Sequence, residues 1–98
     1  MEDVLCAANA SSMKYWFNEE KYGKLPQTVK DELKILLVTF LSDVGGAASL
    51  SFGKEHNLLI TTYEPVDEIG AELKVKKLQE DNVELFSQLE LFHTTFFA

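Results

Sequence analysis

Between residues 26 and 46 the apolar positions Val29, Leu33, Leu36, Leu37, Phe40 and Val44 recur every three or four residues. At about 100° per residue they fall on one face of a helix. Leu25-Pro26 opens this segment, with the proline at the first helical position, where its missing N–H leaves no hydrogen bond unmade. Gly45-Gly46 closes it, supplying the residue type that accepts a left-handed backbone past a helix C-terminus. Ile35 and Val38 project from the opposite side. A helix apolar nearly all round is usually buried nearly all round, so these two side chains predict a second covering surface.

Beyond the glycines the period shortens to two. Ala48, Leu50 and Phe52 alternate with Ala47, Ser49 and Ser51, the polar segment Gly53–Asn57 has the length of a hairpin loop, and Leu58–Tyr63 is rich in β-branched and aromatic residues. An antiparallel hairpin follows from this, ended at Glu64-Pro65 because proline cannot donate to a ladder. From Asp67 to Phe97 the spacing is helical again. Leu78, Leu85, Leu89, Phe92 and Phe96 form a seam flanked by Val75, Phe86 and Phe97, while Ile69 and Leu73 lie on another face with Gly70 between them. Either a short helix precedes a longer one here, or a single helix changes partners along its length. In the first 24 residues Met13, Tyr15 and Phe17 alternate with Lys14 and Trp16, which suggests a third short strand; Asn9, Ser11 and Ser12 could equally cap a short helix. The expected fold is α+β: a small antiparallel sheet, with the hairpin and an N-terminal strand, packed against two principal helices in one domain spanning residues 1–98. No internal repeat is visible in the sequence.

Composition narrows the function classes. Sixteen acids face nine basic residues, all of them lysine, for a net charge of −7. Arginine is the usual bidentate grip on phosphate and on guanine edges, so its absence together with net negative charge argues against nucleic acid or an anionic membrane as partner. From Asp67 onward seven acids stand against three lysines. The acidic opening Met1-Glu2-Asp3 is unlike a signal peptide, and the densest apolar run, Ile35 to Leu41, is short of the roughly 18 residues a spanning helix needs; a cytoplasmic protein is expected.

Leu5-Cys6-Ala7-Ala8-Asn9-Ala10, Lys14-Tyr15-Trp16-Phe17-Asn18, Lys24-Leu25-Pro26 and Lys30-Asp31-Glu32-Leu33-Lys34-Ile35 occur together with Asp43-Val44-Gly45-Gly46 and Asp67-Glu68-Ile69-Gly70. In this combination the chain resembles a family of small cytosolic proteins of anaerobic low-GC Gram-positive bacteria. The resemblance implies a bacterial cytosolic origin and no known activity, and it carries over no functional residue.

Candidate chemistry is sparse. Cys6 is the only cysteine, which excludes an intrachain disulfide, and without a visible base beside it a small apolar filler is the expected role. His56 falls in the predicted turn, where a solvated loop residue is expected, and His93 near the end of the last helix. Neither has the i+3 or i+4 histidine partner of a helical metal site, so no metal and no cofactor is expected. Gly45-Gly46 follows a helix and precedes a strand, the reverse of a phosphate-binding loop. Asp43 sits in a last helical turn, where the macrodipole disfavours an anion. Glu80, Asp81, Glu84 and Glu90 give the final segment an acidic side, most simply a solvated face.

Two function classes follow. The first is a non-enzymatic interaction or structural module acting as a homodimer, with Ile35, Val38, Ile69, Leu73, Phe92, Phe96 and Phe97 as candidate interface, because a short sheet with open edges and leftover apolar surface is completed by a second copy. The second is an acidic regulator or decoy that uses Glu80, Asp81, Glu84 and Glu90 to occupy the basic site of a nucleic-acid-handling protein.

Overall fold

The computed structural model describes residues 3–97. Two β-hairpins, each followed by two helices, make up the chain: β1 (Asp3–Asn9), β2 (Lys14–Phe17), α1 (Glu19–Tyr22) and α2 (Gln27–Val44), then β3 (Ala47–Phe52), β4 (Leu58–Tyr63), α3 (Glu68–Asp81) and α4 (Val83–Phe97). The hairpins join through their first strands, giving one antiparallel sheet in the order β2-β1-β3-β4. The architecture is the expected α+β class, with a repeat of element order that the sequence does not display.

Residues paired across neighbouring strands share a face of the sheet. Cys6 pairs with Phe17 and Leu50, Ala8 with Tyr15 and Ala48, Leu50 with Ile60, and Phe52 with Leu58. All of these belong to the hydrophobic core, so this is the face the helices cover. α2 contributes Leu33, Leu37, Phe40, Leu41 and Val44 to it. The opposite face carries Ala7, Trp16, Ser49, Thr61 and Tyr63, with the two aromatic rings half exposed.

The N-terminal segment holds two strands rather than one. The expected strand at Tyr15–Phe17 is β2, and β1 lies beside it at the centre of the sheet. β1 escapes a period-two reading because its register shifts between Val4 and Cys6, so that Leu5 and Cys6 are consecutive and both fully buried. Such a bulge places two residues opposite one and bends the strand. It also turns Asp3, paired with Phe52, toward the helices.

Pro26 stands one residue earlier than expected, as the N-cap of α2, and its carbonyl accepts from the N–H groups of Val29 and Lys30. At the other end Gly45 and Gly46 both have positive φ. A Cβ on Gly46 would lie 2.2 Å from the Tyr63 carbonyl oxygen, so glycine is required there by space as well as by backbone sign. The C-terminal segment breaks at Asn82 and not near Gly70, giving two helices of 14 and 15 residues. Gly70 is an ordinary interior residue of α3's first turn. Asn82 ends α3 because its backbone N–H and its side-chain Nδ2 both donate to the Leu78 carbonyl, at 3.1 and 2.9 Å, a local competition asparagine is suited to.

Candidate functional site

His93 and Glu90 are three residues apart on α4 and therefore neighbours on its surface. They meet the end of the β3–β4 hairpin together. Glu90 Oε2 accepts from the Leu58 N–H at 2.7 Å, and His93 Nδ1 lies 2.7 Å from His56 Nδ1. The turn that presents His56 is a three-residue loop. His56 N–H donates to the Gly53 carbonyl at 3.0 Å and Gly53 N–H to the Asn57 carbonyl at 2.8 Å, with His56 at φ 66°. That left-handed position, which closes a type I turn into a bulge, is usually glycine. Histidine tolerates it better than β-branched residues do.

The other nitrogen of His93, Nε2, is 3.0 Å from Asp3 Oδ2. Lys21 Nζ donates to the same oxygen at 2.7 Å, and the Tyr22 hydroxyl also donates to it. A connected polar line thus runs from α1 through β1 and α4 to the hairpin turn: Lys21 and Tyr22, Asp3, His93, His56. Aromatic rings enclose it. Phe52 stacks on His93 with centroids 4.1 Å apart and planes 14° apart, Phe97 stacks at 5.4 Å, and His93 is buried.

Burial opposes the charge on Asp3, but the hydrogen bonds from Lys21, Tyr22 and His93, with the Lys21 charge, outweigh it and hold this carboxyl below its ordinary value. Asp3 is therefore an acceptor, and His93 Nε2 carries the proton between them. His93 Nδ1 is thereby presented to His56, the arrangement by which a carboxylate fixes an imidazole's tautomer. Burial, followed by the Asp3 hydrogen bond and charge, also pushes the Tyr22 hydroxyl up, which keeps it protonated as a donor. The chemistry available is proton sharing along a fixed line. No group of three or more His, Cys, Asp or Glu side chains among the described residues is disposed to hold a metal ion.

The two histidines, expected to be apart, are in contact, and His56 is half-buried and bonded instead of a free loop residue. One signal pointed to His93. It continues the face of Phe86 and Leu89, where a ring with two polar atoms needs two partners. Nothing local marks Asp3. Cys6 is buried, and its desolvation pushes the thiol up to about 12 despite the Tyr15 hydroxyl beside it, so it stays a thiol at neutral pH. Asp43 lies 3.7 Å from Lys74 of α3, a lysine that offsets the unfavourable helix end.

Of the candidate interface residues, Ile35, Val38, Ile69, Leu73 and Phe96 are exposed. Ile35 lines a groove of about 560 Å³ between α2 and α3, floored by Leu36, Phe40, Leu78 and Leu85. Phe92 and Phe97 instead pack against the core, Phe97 against Tyr22 at 5.3 Å. Among the acidic residues, Glu80 and Asp81 belong to α3 and Glu84 to α4, all exposed, whereas Glu90 is withdrawn from that side and bound to the β4 backbone. No helix among the described residues is long and apolar enough to cross a membrane.

Neither the curated proteins nor the solved structures contain a match to this chain. A family of unknown function, DUF6145, matches residues 2–98, nearly the whole sequence, and the chain belongs to that family.

Proposed function

We propose that the protein is a non-enzymatic protein-interaction module that works as a homodimer, its two copies joined along the free edge of β4. The observation that carries this reading is the character of that edge. Natural sheets protect edge strands with charge, proline, bulges or shortness. β2, the other edge, is four residues long and includes Lys14. β4 is six residues, Leu-Leu-Ile-Thr-Thr-Tyr, with no charge, proline, glycine or register shift.

Its free backbone groups follow from the ladder. The Gly53–Asn57 hydrogen bond sets the phase, so Leu59, Thr61 and Tyr63 bond to β3 while Leu58, Ile60 and Thr62 direct N–H and C=O outward. Glu90 accepting from Leu58 N–H fits this phase and occupies one outward donor. Ile60 and Thr62 remain. Two such edges are self-complementary about a two-fold axis, which needs no second kind of partner. The net charge of −7 opposes self-association through the acidic helices but not through an uncharged strand.

Four intermolecular backbone hydrogen bonds would contribute about 4 kcal/mol, and about 400 Å² of apolar area around Leu59, Ile60 and Tyr63 about 10 kcal/mol, against an association cost of about 4–15 kcal/mol. The dimer is accordingly concentration-dependent. Light scattering on the wild type and two variants is the test. Thr62→Pro removes an outward donor, leaves the β3 ladder intact and should yield a folded monomer of 11.1 kDa. Val38→Lys, on the outer face of α2, should leave the dimer unchanged. The reverse pattern would move the interface to α2, and a wild type that stays monomeric at high concentration would end the homodimer reading.

The acidic-decoy reading takes second place. With Glu90 engaged, its strip is reduced to Glu80, Asp81 and Glu84, in a segment that also carries Lys74, Lys76 and Lys77.

A further inference from the structure

We propose that the His56–His93 contact is a proton-counting latch: it holds the β3–β4 turn against α4 at neutral pH and releases the turn when a second proton enters the pair. The argument is geometric. Two Nδ1 atoms 2.7 Å apart form a hydrogen bond only when one carries a proton and the other a lone pair. With His93 Nε2–H committed to Asp3, the neutral pair satisfies this by His56 donating to His93. One added proton is also accommodated, because either ring can be the imidazolium while a single Nδ1–H stays between them. A second added proton sets two N–H donors and two positive charges face to face, and the contact fails.

The groups that surround it decide which side moves. Asp3 from β1 faces His93 Nε2, with Lys21 and Tyr22 of α1 on the same carboxylate. Glu90 of α4 lies one turn away and is bound to Leu58 N–H, and Lys54 and Glu55 of the turn are exposed. His93 is held by Asp3 and stacked between Phe52 and Phe97. His56 sits at positive φ in a three-residue turn, and its side chain makes its one hydrogen bond among the described residues to His93. The turn is therefore the part that opens. A histidine in a position that favours glycine is explained by what glycine cannot supply, a titratable partner for His93.

NMR of the histidine ring nitrogens and backbone amides of the full chain, titrated from about pH 8 to about pH 5, tests this across the range in which imidazole charge changes. The expected course has two steps. The first proton leaves the amides of Lys54 to Asn57 in place; the second shifts them and speeds their hydrogen exchange about tenfold or more, while amides of β1 and β3 stay protected. His56→Asn, which accepts positive φ, does not titrate in this range and can donate from Nδ2 to His93 Nδ1 or, once that nitrogen is protonated, accept from it through Oδ1, should keep the turn closed throughout. A one-step titration, identical turn behaviour in His56→Asn, or simultaneous loss of β1 and β3 protection would each overturn the proposal.

Discussion

Asp3 has a fold-wide role because one carboxylate oxygen on β1 serves donors from α1 and α4 at once. Its folded-state carboxyl titrates below the ordinary value of 3.8, so on acidification the unfolded chain takes up this proton first. The stability it contributes is complete above that ordinary value and is lost as pH falls through the lower, folded-state value. Asp3→Asn should lower stability at neutral pH by about 1–2 kcal/mol, allowing for partial solvent screening, and the difference from wild type should vanish in strong acid. Urea titrations at several pH values measure it; a difference that persists undiminished into acid would show that Asp3 acts through shape alone. Cys6 offers a second test at this scale. As a buried thiol pushed up to about 12, it should react with a maleimide only as fast as the protein unfolds, and rapid labelling of the native protein would contradict its place in the core. The place of Cys6 in the core was readable from the sequence, since a lone cysteine among Leu5, Ala7 and Ala8 is expected as a small apolar filler. Asp3 was not, because its partner His93 is ninety positions away.

At the scale of elements, the legible parts are those whose pattern is local. The stripe of α2 and the alternation of β3 arise because one face of each packs on the core, and both lie where periodicity placed them. β1 was hidden by its bulge, which puts adjacent Leu5 and Cys6 inside together. The division between α3 and α4, left open in the sequence between two helices and one, falls at Asn82, which acts through a side-chain bond that propensity does not describe, while Gly70, the stronger helix breaker by propensity, lies inside α3. Gly70 is then an unnecessary weakness in α3. Gly70→Ala should stabilise the protein by about 0.5–1 kcal/mol, seen as a higher urea midpoint. The new Cβ would lie 2.5 Å from Asp67 Oδ2, the free end of a side chain that can swing aside. A lower midpoint would mean that Asp67 is held where it stands.

For the whole molecule, the repeated order of two strands and two helices ends in an asymmetry at the edges of the sheet. β2 is short and carries a lysine; β4 is longer and uncharged. Sequence alone suggested open edges and a second copy, and left the surface joining the copies undecided between sheet edges and helices. The β4 interface we propose rests on the phase of the ladder, which depends on the turn at Gly53–Asn57 and agrees with Glu90 reaching the Leu58 N–H from a helix more than thirty residues away. The most direct measurement is amide hydrogen exchange at Ile60 and Thr62 as a function of protein concentration. Pairing through β4 predicts that these two amides exchange readily in dilute solution and become protected as concentration rises, while Leu59 and Thr61, bonded to β3, are protected throughout. Exchange at Ile60 and Thr62 that is independent of concentration, in solutions where light scattering finds a dimer, would contradict the β4 interface.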